Sequence, residues 1–438
     1  MNSYQDAIDY LYQFIAGERA LPRPDPNLNL LRTRALLTAI GDPQRTFPAV
    51  VVAGTKGKGS TAAMLESIYR TAGLRTGLWT SPHLHSYRER IQVDRLPISQ
   101  DDLIDLTRQI QPHVAAVAHA TGGPPVMFAI GFALAMQHFA TQHIDIAILE
   151  VGLGGRYDSA AVIDEPLLAV ITPISYDHLE ILGTHLSDIA WQKAGIIKPG
   201  CTAITSAQQP EVLAVLLQEA QAQQARLYSV VPAAGVDPID VVAEFGKQCY
   251  TNLPGTFQRE NAQLAVAAAL ILRDGDFPIE DWAITEGLAK TEWPARFEIV
   301  PGTPPVVIDG AHNGDSAARL VESLAEVYPA RRLVLVFGAS RDKLLDQMLV
   351  HLGAAADALV LTRAQHPRAW DDLDALAELA APHLRPATPV VQHRELPTAL
   401  AVARALAGRD GVVCVTGSLF VAAEARVALG LTRPGEVD

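Results

Sequence analysis

Cysteine is scarce in this 438-residue chain: Cys201, Cys249 and Cys414 stand far apart, and no CxxC pair occurs. That spacing excludes a disulfide framework and a cysteine-based zinc site, and it fits a reducing compartment. Long hydrophobic runs are also missing. The longest near-apolar stretch, Pro124–Met136, is too short to span a bilayer and contains proline and glycine. Basic charge is in deficit, with 35 Lys and Arg against 48 Asp and Glu, a formal net charge of −13. A general attraction to nucleic acid or anionic lipid is therefore not expected. An anion must instead be held at a local patch of amides and a few cations. The amino-terminal MNSYQDAIDYLYQF carries Asp where a secretory leader carries basic residues. A soluble cytoplasmic protein is expected, with no membrane or nucleic-acid partner.

What is present is an ordinary globular composition, 49% hydrophobic and 19% charged, at a length that suggests two or three domains. The segment from Tyr4 to Ile40 reads as helices interrupted by a loop at Leu21–Pro26. Strands are expected at Phe47–Ala53, Gly77–Thr80, Ile144–Val151, Leu168–Ile174 and Thr202–Ser206. Helical patterns lie at Thr61–Ala72 and around 101–120, 125–140, 186–197 and 210–224. This alternation argues for a parallel sheet covered by helices on both faces. The stretch 226–256 reads as an irregular β excursion, followed by helices at Arg259–Leu272 and Ile279–Glu292. The segment TEWPARFEIVPGTPP (291–305) reads as a boundary. A second alternating set follows, with strands at Val306–Asp309, Arg332–Gly338, Ala358–Thr362, Pro389–Gln392 and Val412–Gly417. That set is enough for a small doubly wound domain.

The clearest chemical signal is a strand running into Gly54-Thr-Lys-Gly-Lys-Gly-Ser60 and then a helix. Glycines let several N–H groups turn inward, and the helix start adds its dipole, which together hold a polyphosphate. Lys58 is placed to reach the terminal phosphates, and Ser60 or Thr61 to meet Mg²⁺ or a phosphate oxygen. The match to GxxxxGK[ST] is imperfect, because Gly59 separates Lys58 from Ser60. Lys56, a second cation in the loop, is expected to be exposed.

Other groups fall at strand ends. Glu150 closes an apolar strand, where ligands of parallel sheets bind; the lesser alternative is that it caps a helix or meets an arginine. The glycines 152, 154 and 155 that follow read as a loop more flexible than structure alone requires. Asp177 and His178 come at the mouth of the next strand, taken as the neighbour of Glu150's strand, and suit Mg²⁺. Lys193, on a helix, reads from spacing alone as solvent-exposed. Asp309, His312 and Asn313 lie just past a strand of the second set. Arg296, in the linker, either reaches a phosphate or forms a surface salt bridge.

These motifs agree in order with one family. The chain resembles folylpolyglutamate synthase, including its bifunctional bacterial form with dihydrofolate synthase activity. That family belongs to the ATP-dependent amide ligases that include the Mur enzymes of peptidoglycan synthesis. The supporting stretches are GTKGKGS (54–60), TSPHLHSYRERI (80–91), LEVGLGGRYD (149–158), ITPISYDHLEILG (171–183) and KAGIIKPG (193–200). Further along come LPGTFQRENA (253–262), WPARFE (293–298), DGAHN (309–313), VFGASRDK (336–343) and TGSLF (416–420).

The resemblance implies an α/β fold with a P-loop-containing, doubly wound ATP-binding domain over 1–296. A smaller Rossmann-like glutamate ligase domain is implied over 297–438. It implies that Gly54, Thr55, Gly57, Lys58, Gly59, Ser60 and Thr61 hold ATP, with Gln258, Asn261, Arg296 and Asp309. It implies that Ser81, Glu150 and His178 hold one or two Mg²⁺ ions, that Lys193 is carbamylated, and that His312 sits near the phosphates. Lys58, His178, Lys193 and His312 are then the catalytic candidates; Ser418 receives no role. The implied substrates are ATP, L-glutamate and a folate or dihydropteroate, the acid being activated as an acyl phosphate on a monomeric enzyme. Two other readings stand beside this one: a related Mur-type ligase with another carboxylate acceptor, or a nucleotide-binding module without ligase activity. Departures from the family pattern are Lys56 for asparagine, Ser159-Ala-Ala161 where ATN is usual, and Ala129 where glutamate is common. These bear on substrate choice more than on catalysis.

Overall fold

A computed structural model describes residues 1–15, 25–241, 250–273, 275, 277–341, 343–432 and 436–437. Of the features read from the sequence, loop residues 21–24, Cys249, Asp342 and the 242–249 part of the β excursion lie outside the described residues. The chain divides into two compact units. One comprises Met1–His83, Tyr87–Tyr250 and Glu260–Thr291; the other comprises Leu84–Ser86, Thr251–Arg259 and Glu292–Asp438.

The first unit is built on strands β1 (Ala49–Ala53), β2 (Thr76–Trp79), β3 (Ile91–Val93), β4 (Leu96–Pro97) and β5 (Ile146–Glu150). It continues with β6 (Leu168–Ile171), β7 (Thr202–Thr205), β8 (Arg226–Ser229) and β9 (Asp237–Pro238). They form one sheet in the order β4-β3-β2-β5-β1-β6-β7-β8-β9. From β2 to β9 every pairing is parallel. The central strands AVVVA, IAILE and LAVI are buried along their whole length, as parallel strands covered on both faces must be. Ala49, Val51 and Ala53 join a core with residues of the helices Pro26–Ala39, Gln100–Thr121 and Met127–Thr141. Val50 and Val52 point to the other face, which the helix Lys58–Thr71 covers.

The structure corrects the all-parallel expectation at one edge, where β3 pairs antiparallel with both β2 and β4. The β3–β4 hairpin turns through Asp94 and Arg95, both at positive φ (49° and 71°), the left-handed pair that suits a two-residue hairpin. The excursion after 226 is in part regular, since β8 and β9 extend the parallel sheet.

The second unit holds β10 (Glu298–Val300), β11 (Val306–Ile308), β12 (Leu333–Phe337), β13 (Ala358–Leu361), β14 (Val390–Gln392) and β15 (Val412–Thr416). Their order is β10-β11-β15-β12-β13-β14. The five strands expected here are all present and mutually parallel; β10, not expected, pairs antiparallel with β11. Side chains alternate along each strand. Val307, Leu335, Leu359 and Cys414 enter one core, while Val306, Val334, Val360 and Val413 enter another on the opposite face. Among the described residues no helix is long and apolar enough to cross a membrane.

Candidate active site

Because β2, β5, β1 and β6 run parallel in that order, their carboxyl ends share one edge of the sheet. Ser81 follows β2, Glu150 closes β5, Gly54 follows β1 and Thr172 follows β6. The strands leading to Glu150 and to Asp177 are therefore not neighbours, as expected from sequence, but flank the strand that carries the glycine loop.

The loop is tied down on one side and open on the other. The N–H groups of Thr55 and Lys56 both donate to the Pro173 carbonyl, at 3.0 and 3.3 Å. The Thr55 hydroxyl donates to Ser175 O at 3.0 Å and accepts the Ser175 N–H at 3.1 Å. Those amides face the exit of β6, so the groups left to meet an anion are those opening the helix Lys58–Thr71, whose first turn has no helical acceptors. Gly57 makes the turn at φ +84°, and a side chain there would collide with the Asn261 carboxamide. Thr61 is wholly buried, and its hydroxyl has no partner among the described residues. An orphaned hydroxyl at the head of this helix is what a polyphosphate or its hydrated cation would satisfy.

Two lysines converge on one carbonyl. Lys58 Nζ donates to Gly54 O at 3.1 Å and to Thr55 O at 3.4 Å. Lys193 Nζ donates to the same Gly54 oxygen at 2.8 Å. Lys193 is thus only 4% exposed, which corrects the reading of its helix spacing. Burial, and next the charge of Lys58, hold its amine well below the ordinary lysine range. Lys56 is also not exposed as expected: its side chain is 17% accessible, with Nζ 3.7 Å from the Asp177 carboxylate.

Glu150 is buried at its strand end and accepts the Ser81 N–H at 3.0 Å, which brings those two expected ligands together. His178 lies on the loop beyond β6, at φ 50°, with its ring 47% exposed and 3.8 Å from its neighbour Asp177. Among the described residues no three His, Cys, Asp or Glu side chains cluster as a cage. A buried carboxylate held at the Ser81 backbone fits Mg²⁺, which keeps waters and substrate phosphates in its shell.

One residue gained its meaning only from the fold. Asp158, buried, accepts the N–H groups of Gly152, Leu153 and Ala160 at 3.1, 3.2 and 2.9 Å. Burial pushes its carboxyl up to about 6, against the pull of these amides and of Lys58. The glycines beside it also have packing reasons. A side chain at Gly152 would strike the Phe128 ring, and one at Gly155 the Gln192 carbonyl. A short-range carboxylate-to-amide pattern, Asp six residues after Gly152, was the available sequence signal.

The second unit carries its own cluster. The Asp309 carboxylate, buried just past β11, accepts the N–H groups of Phe297 and Ala311 at 2.8 Å each. Burial raises its carboxyl, and the Arg296 guanidinium opposes that rise. Arg296 fits over Gly310, where any side chain would meet its Nη1. His312 Nδ1 lies 2.9 Å from the Gly310 carbonyl, to which it donates its proton. Asn313 caps the next helix, Gly314–Val327. Gln258 and Asn261 sit three residues apart on one face of the helix Thr256–Arg273, both buried. Ser418 caps the helix Leu419–Ala428, a structural use for a residue that sequence left without one.

Two family models match the chain: the Mur ligase middle domain over residues 106–269 and the Mur ligase glutamate ligase domain over 295–419. A Bacillus subtilis dihydrofolate synthase/folylpolyglutamate synthase is 39% identical over 351 residues, 77% of this chain and 81% of that one. The chain is a member of the folylpolyglutamate synthase family. The solved Mycobacterium tuberculosis folylpolyglutamate synthase complexed with ADP superposes with a TM-score of 0.84 at 32% identity, covering 98% of both chains. The bifunctional folylpolyglutamate synthase/dihydrofolate synthase of Yersinia pestis, complexed with AMPPNP and Mn ion, gives 0.78 at 28% identity, again over 98% of each.

In this chain the departures from the family pattern fall at packed positions. Ala129 is 0% exposed in the helix Met127–Thr141, and Ser159, Ala160 and Ala161 form a buried turn. At both places the polar residue usual in the family would be taken out of water.

Proposed function

We propose that the chain is a cytoplasmic, monomeric ATP-dependent ligase that joins L-glutamate to the carboxylate of a folate or of dihydropteroate. The single observation that carries this reading is the convergence of Lys58 and Lys193 on Gly54 O, at the head of a helix that opens on the carboxyl edge of a parallel sheet. Family membership supplies the substrate class.

In this reading the amides that open the helix, with Lys58 and Asn261, cradle the phosphates of ATP. The substrate carboxylate attacks the γ-phosphorus and ADP leaves, giving an acyl phosphate. The amine of glutamate then attacks the acyl carbon, loses a proton and displaces phosphate. Lys58 spreads the charge of the transferring phosphoryl group, the main catalytic task in such a step. Glu150, Ser81 and His178 are the residues proposed to hold one or two Mg²⁺ ions, which neutralise phosphate charge when bound. The buried amine of Lys193, held well below the ordinary lysine range, supports carbamylation: once deprotonated, its nitrogen adds to the carbon of CO₂ and releases a proton, leaving an anion at that position. For Gln258, Arg296, Asp309 and His312 a role toward the nucleotide rests on family membership and on the built Arg296–Asp309–His312 cluster. The proposed division of labour is nucleotide binding over 1–296 and a glutamate ligase domain over 297–438.

The test is an acceptor screen with ATP, L-glutamate and either dihydropteroate or tetrahydrofolate, read by phosphate release and product mass. Glutamate-dependent product with at least one acceptor is expected. Product with neither, alongside intact nucleotide binding, would overturn the proposal. Lys58→Ala should abolish ADP formation in a protein that melts normally, and unchanged turnover would remove the loop from the mechanism.

A further inference from the structure

Lys56 is a third lysine beside Gly54, and the chemistry above leaves it without a task. Its charge reaches Lys193, whose amine it helps to depress along with Lys58. Lys58 and Lys193 are hydrogen-bonded to neutral carbonyls, whereas Lys56 faces a carboxylate. Its backbone N–H is committed to Pro173 O, so what Lys56 brings to a loop-bound anion is its side chain. The 3.7 Å separation from Asp177 is longer than a hydrogen bond, and both side chains keep some solvent contact, at 17% and 25%. A pair of that kind is weakly held. A polyphosphate presents several negative charges where Asp177 presents one.

We propose that Lys56 is a second polyphosphate-binding cation, paired with Asp177 and transferred from that carboxylate to the phosphates when nucleotide arrives. The inference rests on the nucleotide-loop reading above. One ion pair is exchanged for another, and no covalent bond changes. Asp177 therefore competes with nucleotide for Lys56. That competition gives the two residues opposite signs: loss of the lysine weakens binding, and loss of the carboxylate strengthens it.

The experiment is calorimetric titration of the full chain with AMPPNP, in EDTA so that no divalent ion acts through Asp177. Lys56→Met is expected to weaken binding by about tenfold, in line with a lost charge-assisted contact, and Lys56→Arg to restore most of it. Asp177→Asn is expected to tighten binding several-fold, and the Lys56→Met/Asp177→Asn double variant to bind as weakly as Lys56→Met alone. Thermal melts accompany each variant, with Lys56→Gln as a second neutral replacement should the methionine fold poorly. Binding by Lys56→Met within twofold of the parent, while Lys58→Ala loses binding, overturns this inference and leaves the nucleotide loop standing. Weaker binding by Asp177→Asn overturns it too. A parent chain that takes no AMPPNP, with or without magnesium, overturns both readings together.

Discussion

Lys193 illustrates how much a single residue owes to tertiary context. Helix spacing treats it as one more solvated lysine, and only the resemblance through KAGIIKPG marks it otherwise. Only the docking of its helix beneath the Gly54 carbonyl buries the amine and places it beside Lys58. The loop glycines, by contrast, were legible, because positive φ and close approach are demands that glycine alone meets cheaply. Asp158 lies between these cases. Its folded carboxyl titrates near 6, above the ordinary 3.8, so the proton is bound more tightly in the folded state. Its contribution is therefore undiminished below about pH 4 and is lost as pH rises through about 6. Asp158→Asn removes that dependence. The stability of the variant relative to the parent should move in its favour by roughly 2–3 kcal/mol between pH 4 and pH 7, measured by denaturant unfolding. A difference that is flat with pH would show that the buried carboxyl does not titrate there.

Elements were read more reliably than their arrangement. The core strands were found within a few residues, since continuous β-branched runs between helical stretches leave little choice. Strand order was not legible: β1 sits between β5 and β6, and only hydrogen-bonded ladders reveal it. The β3–β4 hairpin escaped notice because its Asp94–Arg95 turn lacks the glycine that usually announces a two-residue hairpin. β10 escaped because three residues carry no period. The helix Met127–Thr141 is apolar nearly all round, with Phe132, Ala133, Leu134 and Ala135 all buried. Ala129 shares that surrounding, so Ala129→Glu places a carboxylate where water does not reach. We expect a loss of at least about 3 kcal/mol, or an introduced carboxyl that stays protonated at neutral pH. Unfolding curves matching those of the parent would mean the helix can turn that position outward.

At the scale of the whole molecule, a net charge of −13 means that nucleotide approaches against the mean field and is held by local cations. Binding must then register as stability. Nucleotide at a hundred times its dissociation constant should stabilise the folded chain by about 2.7 kcal/mol, seen as a higher melting temperature that vanishes in Lys58→Ala. An unchanged melting temperature in the parent would mean the ligand has no preference for the native state. One consequence follows from the fastening of Thr55 and Lys56 to Pro173 and Ser175. The glycine turn is thereby coupled to residues 173–175, and Tyr176, 56% exposed, stands at the end of that tether. A fluorinated tyrosine at this point makes occupancy of the turn audible from outside, with no label inside the cradle.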